Sequence, residues 1–196
     1  MYTVKNNLIF GFHGCDQSLC DELVNGDLSL DYSNNDYDWL GKGMYFWEND
    51  PDRALRWAEM AKNNPQNHKQ KITKPAVVGA VICLGKCLDF MEINNLQKLK
   101  TIYDNFKENG IDLPENTGKD FYMRKLDCFL INNLIAQEKR NGIVYDSVRG
   151  VFFEGKELYK NAGFREKNHI QISIINPNCI KGYFKVRSVN NSFVEV

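Results

Sequence analysis

Apolar residues along this chain recur in two rhythms, one of period two and one of period 3.6. Residues 8–12, ending in Phe10-Gly11-Phe12, predict a short strand that runs straight into His13 and Gly14, so a histidine stands where a strand meets a loop. Asp16 then caps a helix over Gln17–Asn25, in which Leu19 and Leu23 recur at i and i+4 and Gly26 supplies the stop. The polar run 31–38 predicts a loop. After it comes Trp39-Leu40-Gly41-Lys42-Gly43-Met44-Tyr45-Phe46-Trp47-Glu48, a strand candidate that begins with two glycines and a lysine. Each glycine costs conformational entropy on folding, so two together point to a sharp turn or to a close approach of something to the backbone. Asn49 or Asp50 caps the next helix, with Pro51 in its first turn and Ala54, Leu55, Trp57, Ala58 and Ala61 as its apolar stripe.

Residues 63–74 are polar and proline-containing, which predicts a surface loop. Residues 76–84 are apolar without alternation and read as a central strand covered on both faces. Two helices follow, over 93–109 and 120–140, separated by Gly110 and Pro114. Strands return at 147–153, 169–175 and 181–186. This order lacks regular βαβ alternation, so the expected fold class is α+β, a single domain over 1–196 with a helical insertion at about 93–140.

Composition narrows the picture only a little. The 196 residues are 43% hydrophobic, enough for one buried core, and 25 Lys plus Arg balance 25 Asp plus Glu. A formal net charge of zero gives no general electrostatic grip on nucleic acid or anionic membrane. No apolar run nears the roughly 20 residues that cross a bilayer, and Met1 to Lys5 lead into a strand rather than a leader. The expectation is a cytoplasmic protein with no membrane partner. The six cysteines show no C-x-x-C pairing, so neither zinc nor a disulfide framework is expected, and Cys83 and Cys128 read as small buried hydrophobes.

Three groups from distant parts of the chain stand on strand ends or strands: His13, Tyr45 behind the double glycine, and Gln171 in a strand where Ile170, Ile172 and Ile174 take the other face. Singly, each is ordinary hydrogen-bonded or packed structure. Together, Phe12-His13-Gly14, the run Leu40 to Phe46, the run Val77 to Gly85 and Ile170-Gln171-Ile172-Ser173-Ile174-Ile175-Asn176-Pro177 resemble, in the same chain order, the ADP-ribosyltransferase superfamily. The similarity is to its His-Tyr-Glu branch, which includes the poly(ADP-ribose) polymerases, and it spans residues 8–184 apart from the helical stretch.

The resemblance implies a split sheet that holds NAD as co-substrate in its cleft, with no metal. It implies that His13 bonds a ribose hydroxyl, that the Gly14 backbone grips the nicotinamide carboxamide, and that Tyr45 stacks on the nicotinamide ring. Gly41 and Gly43 would turn the chain tightly at the cofactor, and Trp57 would close the ring from the other side. Lys42 and Arg149 are candidates for the pyrophosphate. Gln171 stands where the polymerases carry a catalytic glutamate. An amide hydrogen-bonds a hydroxyl but is no base at neutral pH, so chain elongation is expected to fail. The loop 154–167 lies where relatives recognise the acceptor, and Glu154, Glu157, Glu166 and His169 are the nearest groups that could replace the missing base. The expected activity is a mono-ADP-ribosyltransferase acting on NAD and on an unknown acceptor: a protein, a nucleic acid or a small molecule. The alternatives are an NAD glycohydrolase and a non-catalytic NAD or ADP-ribose binding module. An RNA 2'-phosphotransferase would need more cationic groups than the neutral balance offers.

Overall fold

A computed structural model describes residues 4–67, 71–187 and 192. In chain order the elements are β1 (Val4–Asp16), α1 (Gln17–Asn25), β2 (Met44–Glu48), α2 (Pro51–Asn63), β3 (Pro75–Asp89), α3 (Ile93–Glu108), β4 (Asn116–Thr117), β5 (Met123–Arg124), α4 (Lys125–Arg140), β6 (Ser147–Phe152), β7 (His169–Ile174) and β8 (Ile180–Lys185). The class is α+β, with four helices around a mixed six-stranded sheet in the order β1-β2-β7-β6-β3-β8.

The longest strands set the frame. β1 and β3 pair antiparallel nearly end to end, from Val4↔Lys86 to Asp16↔Pro75, and this pairing carries β1 past His13 to Asp16. His13 therefore lies inside a strand, not at the edge of a loop, because β3 supplies partners beyond the apolar residues. The far edge of β3 takes β8 over Val78–Ile82 and β6 over Cys87–Asp89. The β3–β6 pair is parallel and so demands a long crossover, which the helical insertion α3–α4 supplies. Since β1 also pairs with β2, the strands β1-β2-β7-β6-β3 close into a ring.

Inside that ring lies the main core: Cys15, Met44, Phe46, Val78, Ala80, Ile82, Ile172 and Ile174, joined by Cys20 and Leu23 of α1. Helix α1 starts and stops as its sequence dictates, with the Asp16 carboxylate accepting from Ser18 N and Gly26 at φ 82°. A second core lies outside β6, where Leu88 and Val148 meet Ile102 of α3 and Leu130, Ile131 and Leu134 of α4. Helix α4 begins at Lys125, later than its periodicity predicts. Residues 116–124 form a small hairpin instead, and the Asn116 side chain accepts from Leu126 N at 2.9 Å and Asp127 N at 3.3 Å, capping the helix from outside. All six cysteines are unbridged; five are buried and Cys83 is half-buried. No helix is long and apolar enough to cross a membrane among the described residues.

Asp146 ties the corner where β3, β6 and β7 meet. Its carboxylate accepts from Lys86 N and from Asn176 Nδ2, both at 2.8 Å, and its carbonyl accepts from Ile175 N and Asn176 N at 2.9 Å. Gly85, at φ 58°, leaves the space this carboxylate fills. Replacing Asp146→Ala removes two hydrogen bonds to a charged group and is expected to lower the unfolding free energy by about 2–4 kcal/mol. Urea unfolding monitored by tryptophan fluorescence measures this, and a change below about 0.5 kcal/mol would show that the corner holds without the carboxylate.

Candidate functional site

β1 and β2 are joined by only two pairs, Gly11↔Glu48 and Phe12↔Trp47. Asn49 N donates to Phe10 O at 3.0 Å, so the backbone groups of even-numbered β1 residues point toward β2. At Gly14 β2 has already veered away. The gap is held by His13, whose Nδ1 sits 2.8 Å from the Tyr45 carbonyl. A carbonyl only accepts, so Nδ1 carries the proton and Nε2 keeps its lone pair. Burial holds the His13 pKa below its ordinary value. Gly14 has a second duty: a Cβ there would lie 2.1 Å from the Ala54 carbonyl, so only glycine lets α2 press onto β1 at this point.

The outer face of β2-β7-β6 carries three cross-strand rows. Tyr45, Ser173 and Val148 form one row, and Trp47, Gln171 and Gly150 the next. His169 opposite Phe152 forms the third. Tyr45 and Gln171 are thus diagonal neighbours, about 7–8 Å apart at Cα. The Tyr45 hydroxyl accepts from Leu40 N at 2.9 Å and donates to Gly41 O at 2.5 Å. Burial first, and the Asp38 carboxylate second, push its pKa well above that of a free tyrosine, so it stays protonated. The glycine pair builds this clamp. Gly41, at φ 73°, rests on α4, where a Cβ would meet Asn132 Oδ1 at 2.7 Å, and a Cβ on Gly43 would meet Ser173 Oγ at 2.2 Å. Trp57 of α2 completes the group, its ring centre 6.5 Å from that of His13 and 6.0 Å from that of Trp47.

Among the described residues, five buried side-chain polar atoms lack a hydrogen-bond partner: Trp47 Nε1, Arg53 Nε, Arg124 Nε, His169 Nε2 and Ser173 Oγ. Three of them belong to residues on this outer face, and the two arginines stack on its aromatics. The Arg53 guanidinium lies 5.4 Å from the Trp47 ring centre. That of Arg124 lies 4.3 Å from Trp39 and 5.0 Å from Phe152. A buried donor left unpaired costs about 1–3 kcal/mol. The N–H groups of Trp47, Arg53 and Arg124 offer donors to a molecule rich in oxygen acceptors, whereas His169 Nε2 offers a lone pair. Trp39, Trp47, Arg53, Arg124 and Ser173 escape sequence reading. Trp39, Trp47 and Ser173 look like strand and turn filler, and nothing in linear order joins Arg53 to Trp47 or Arg124 to Trp39.

The remaining predicted residues fall elsewhere. Arg149 lies on the opposite face of β6 from Gln171, clamped by Glu48 at 2.5 Å and Asp89 at 3.1 Å. Its hydrogen bond to Glu48 drives its pKa up further, and the structure does not bring it to the Tyr45–Gln171 group. Lys42 is exposed on the glycine turn. Gly43 pairs both backbone groups with Ser33, at 2.8 and 3.2 Å, so its N–H is not open to a ligand. Glu154 is held by Arg53 at 2.6 Å and Lys167 at 3.2 Å. Glu157 and Glu166 are exposed and accept from Asn161 N and Lys156 N inside their own loop.

Compared with protein-family models, with curated proteins and with solved structures, the chain matches none. No group of three or more His, Cys, Asp or Glu able to hold a metal ion occurs among the described residues.

Burial lowers the pKa of both His13 and His169, so each is neutral in the folded protein while its unfolded counterpart titrates near 6.5. Protons therefore bind the unfolded chain more readily, and stability is expected to fall as pH drops below 6.5. The slope is up to about 1.4 kcal/mol per pH unit for each histidine. Glu154, whose burial is outweighed by Arg53 and Lys167, adds to the loss only below pH 4.5. Urea unfolding at several values between pH 7.5 and 5 reads this slope; a flat profile would show that neither imidazole is kept neutral by the fold.

Proposed function

We propose that this chain is an NAD-consuming mono-ADP-ribosyltransferase with the ADP-ribosyltransferase-like split sheet, and that NAD lies against the outer face where β1 and β2 part. The observation that carries this reading is the meeting of an opened strand edge at Gly14 with a face bearing Tyr45, Gln171 and a cluster of unpaired buried donors. The nicotinamide carboxamide needs one donor and one acceptor side by side, which the Gly14 backbone offers on its β2 side. The ring lies between Tyr45 and Trp57. His13 Nε2 accepts from a ribose hydroxyl, and Gln171 bonds the neighbouring one. Arg53 and Trp47 supply donors for the ribose and pyrophosphate oxygens. Arg149 and Gly43 take no part.

Nicotinamide departs as the ribose takes on oxocarbenium character, which oriented dipoles stabilise without forming a new bond. Gln171 cannot remove a proton from an incoming ribose hydroxyl, so one ADP-ribose unit is transferred and no chain grows. The same amide favours a second reading, a module that binds NAD or ADP-ribose without turnover. With water as the acceptor, the same site would act as an NAD glycohydrolase.

Two measurements test this reading. Calorimetric titration with NAD is expected to give binding that Trp57→Ala weakens by about 1–3 kcal/mol through lost stacking. Unchanged affinity in a folded variant removes Trp57 from the site. Incubation with labelled NAD, alone and with cell lysate, then separates the three activities. Label entering lysate macromolecules supports transfer, nicotinamide released without lysate supports hydrolysis, and binding with neither supports the module. Absence of binding overturns all three.

A further inference from the structure

Resting on the reading above, we infer that His169, through Nε2, takes the proton from a neutral hydroxyl acceptor as that oxygen attacks the ribose. His169 is only 6% exposed and stands two residues from Gln171 on the same face of β7. Its Nδ1 lies 2.6 Å from the Lys167 carbonyl, so Nδ1 holds the proton and the lone pair sits on Nε2. That atom is buried and has no partner. A buried acceptor of this kind is satisfied only by an N–H or O–H group that the described residues do not supply.

The surroundings keep the imidazole in place and neutral. Trp39 stacks on it with ring centres 5.9 Å apart and planes at 28°, and Phe152 lies at 5.8 Å on the neighbouring strand. The charged groups near it are Arg53 and Asp50 at the start of α2, Glu154 beyond β6, and Arg124 of β5 across Trp39. Burial, helped by Arg53, outweighs the bond to the Lys167 carbonyl and the two carboxylates, and the pKa lies below its ordinary value. The three carboxylates of the loop are committed: Glu154 to two cations, and Glu157 and Glu166 to backbone amides.

In the step, the acceptor O–H gives its proton to Nε2 and the oxygen forms a bond to C1 of the ribose. The C1–N bond to nicotinamide breaks, its electron pair leaves with the neutral nicotinamide, and the imidazolium returns the proton to water. A carboxylate acceptor would be ionised already and need no such group, so the acceptor class is a side-chain alcohol: serine, threonine or tyrosine.

The test compares the wild type with His169→Asn, which can keep the contact to Lys167 and cannot take a proton. NAD affinity by calorimetry is expected to stay within about threefold, while label transfer from NAD into cell lysate falls about 100-fold or more. At saturating NAD, where the His13 contact to the ribose is already made, the wild-type rate is expected to rise with pH through a value below 6.5, and this limb vanishes in the variant. The labelled product resists neutral hydroxylamine, as an alcohol linkage does. A variant that transfers within about threefold of wild type, keeps the acidic limb or loses NAD binding overturns the inference, as does hydroxylamine-labile product. A wild type that binds NAD yet transfers nothing also overturns it, whereas a wild type that binds no NAD removes the underlying reading. Should His169→Asn fail to fold, His169→Gln, which keeps a polar atom near the Nε2 position, serves the same comparison.

Discussion

Two backbone pairs hold β1 to β2, and beyond them one imidazole nitrogen does what the strand ladder no longer does. That bond from His13 to the Tyr45 carbonyl fixes how far the strands part. It sets the Gly14 backbone along an open edge and places Tyr45 beside β7. A continued ladder would pair Gly14 with Tyr45 and seal the edge; a wider opening would expose the main core at Phe46, which has no solvent exposure at all. The site and the core therefore share one geometric requirement.

The helical insertion supports this arrangement from outside the ring. Asn132 of α4 accepts from Lys42 N at 3.0 Å and fills the space that Gly41 leaves, so the glycine turn is fastened to the helix before it reaches the tyrosine hydroxyl. The chain thus spends its glycines on approaches between elements: Gly41 against α4, Gly43 against β7 and Gly14 against α2. On the far side, Arg53 and Glu154 link the first turn of α2 to the loop beyond β6, which brings two aromatic-stacked arginines to bear on one face.

Much of the fold was legible because it rests on local signals. Asp16 and Gly26 bound α1, Asp50 and Pro51 start α2, and the alternation of Ile170, Ile172 and Ile174 assigns the faces of β7. What was not legible depends on partners distant in sequence. The length of β1 beyond Phe12 is set by β3, and the late start of α4 by the Asn116 side chain. The same holds for the site. Tyr45 and Gln171 were readable and do share a face, whereas Arg149, a lone cation near a glycine, turned out to be neutralised by Glu48 and Asp89 from two other strands. Trp39, Arg53 and Arg124 carry no linear signal, because stacking of a guanidinium on a ring 5 Å away leaves no fixed spacing along the chain.

The parallel contact of β3 with β6 has a kinetic consequence. Three residue pairs, Cys87↔Ser147 to Asp89↔Arg149, close the ring, and they form only after the whole of α3 and α4 has been threaded between them. Local hairpins and helices assemble quickly, but closure of so long a loop comes late. The face bearing Gln171 and His169 hangs on β6 and β7, so it is among the last surfaces to exist as the polypeptide collapses. Until that moment the chain can set His13 against the Tyr45 carbonyl of β2 but not place β7 beside Tyr45.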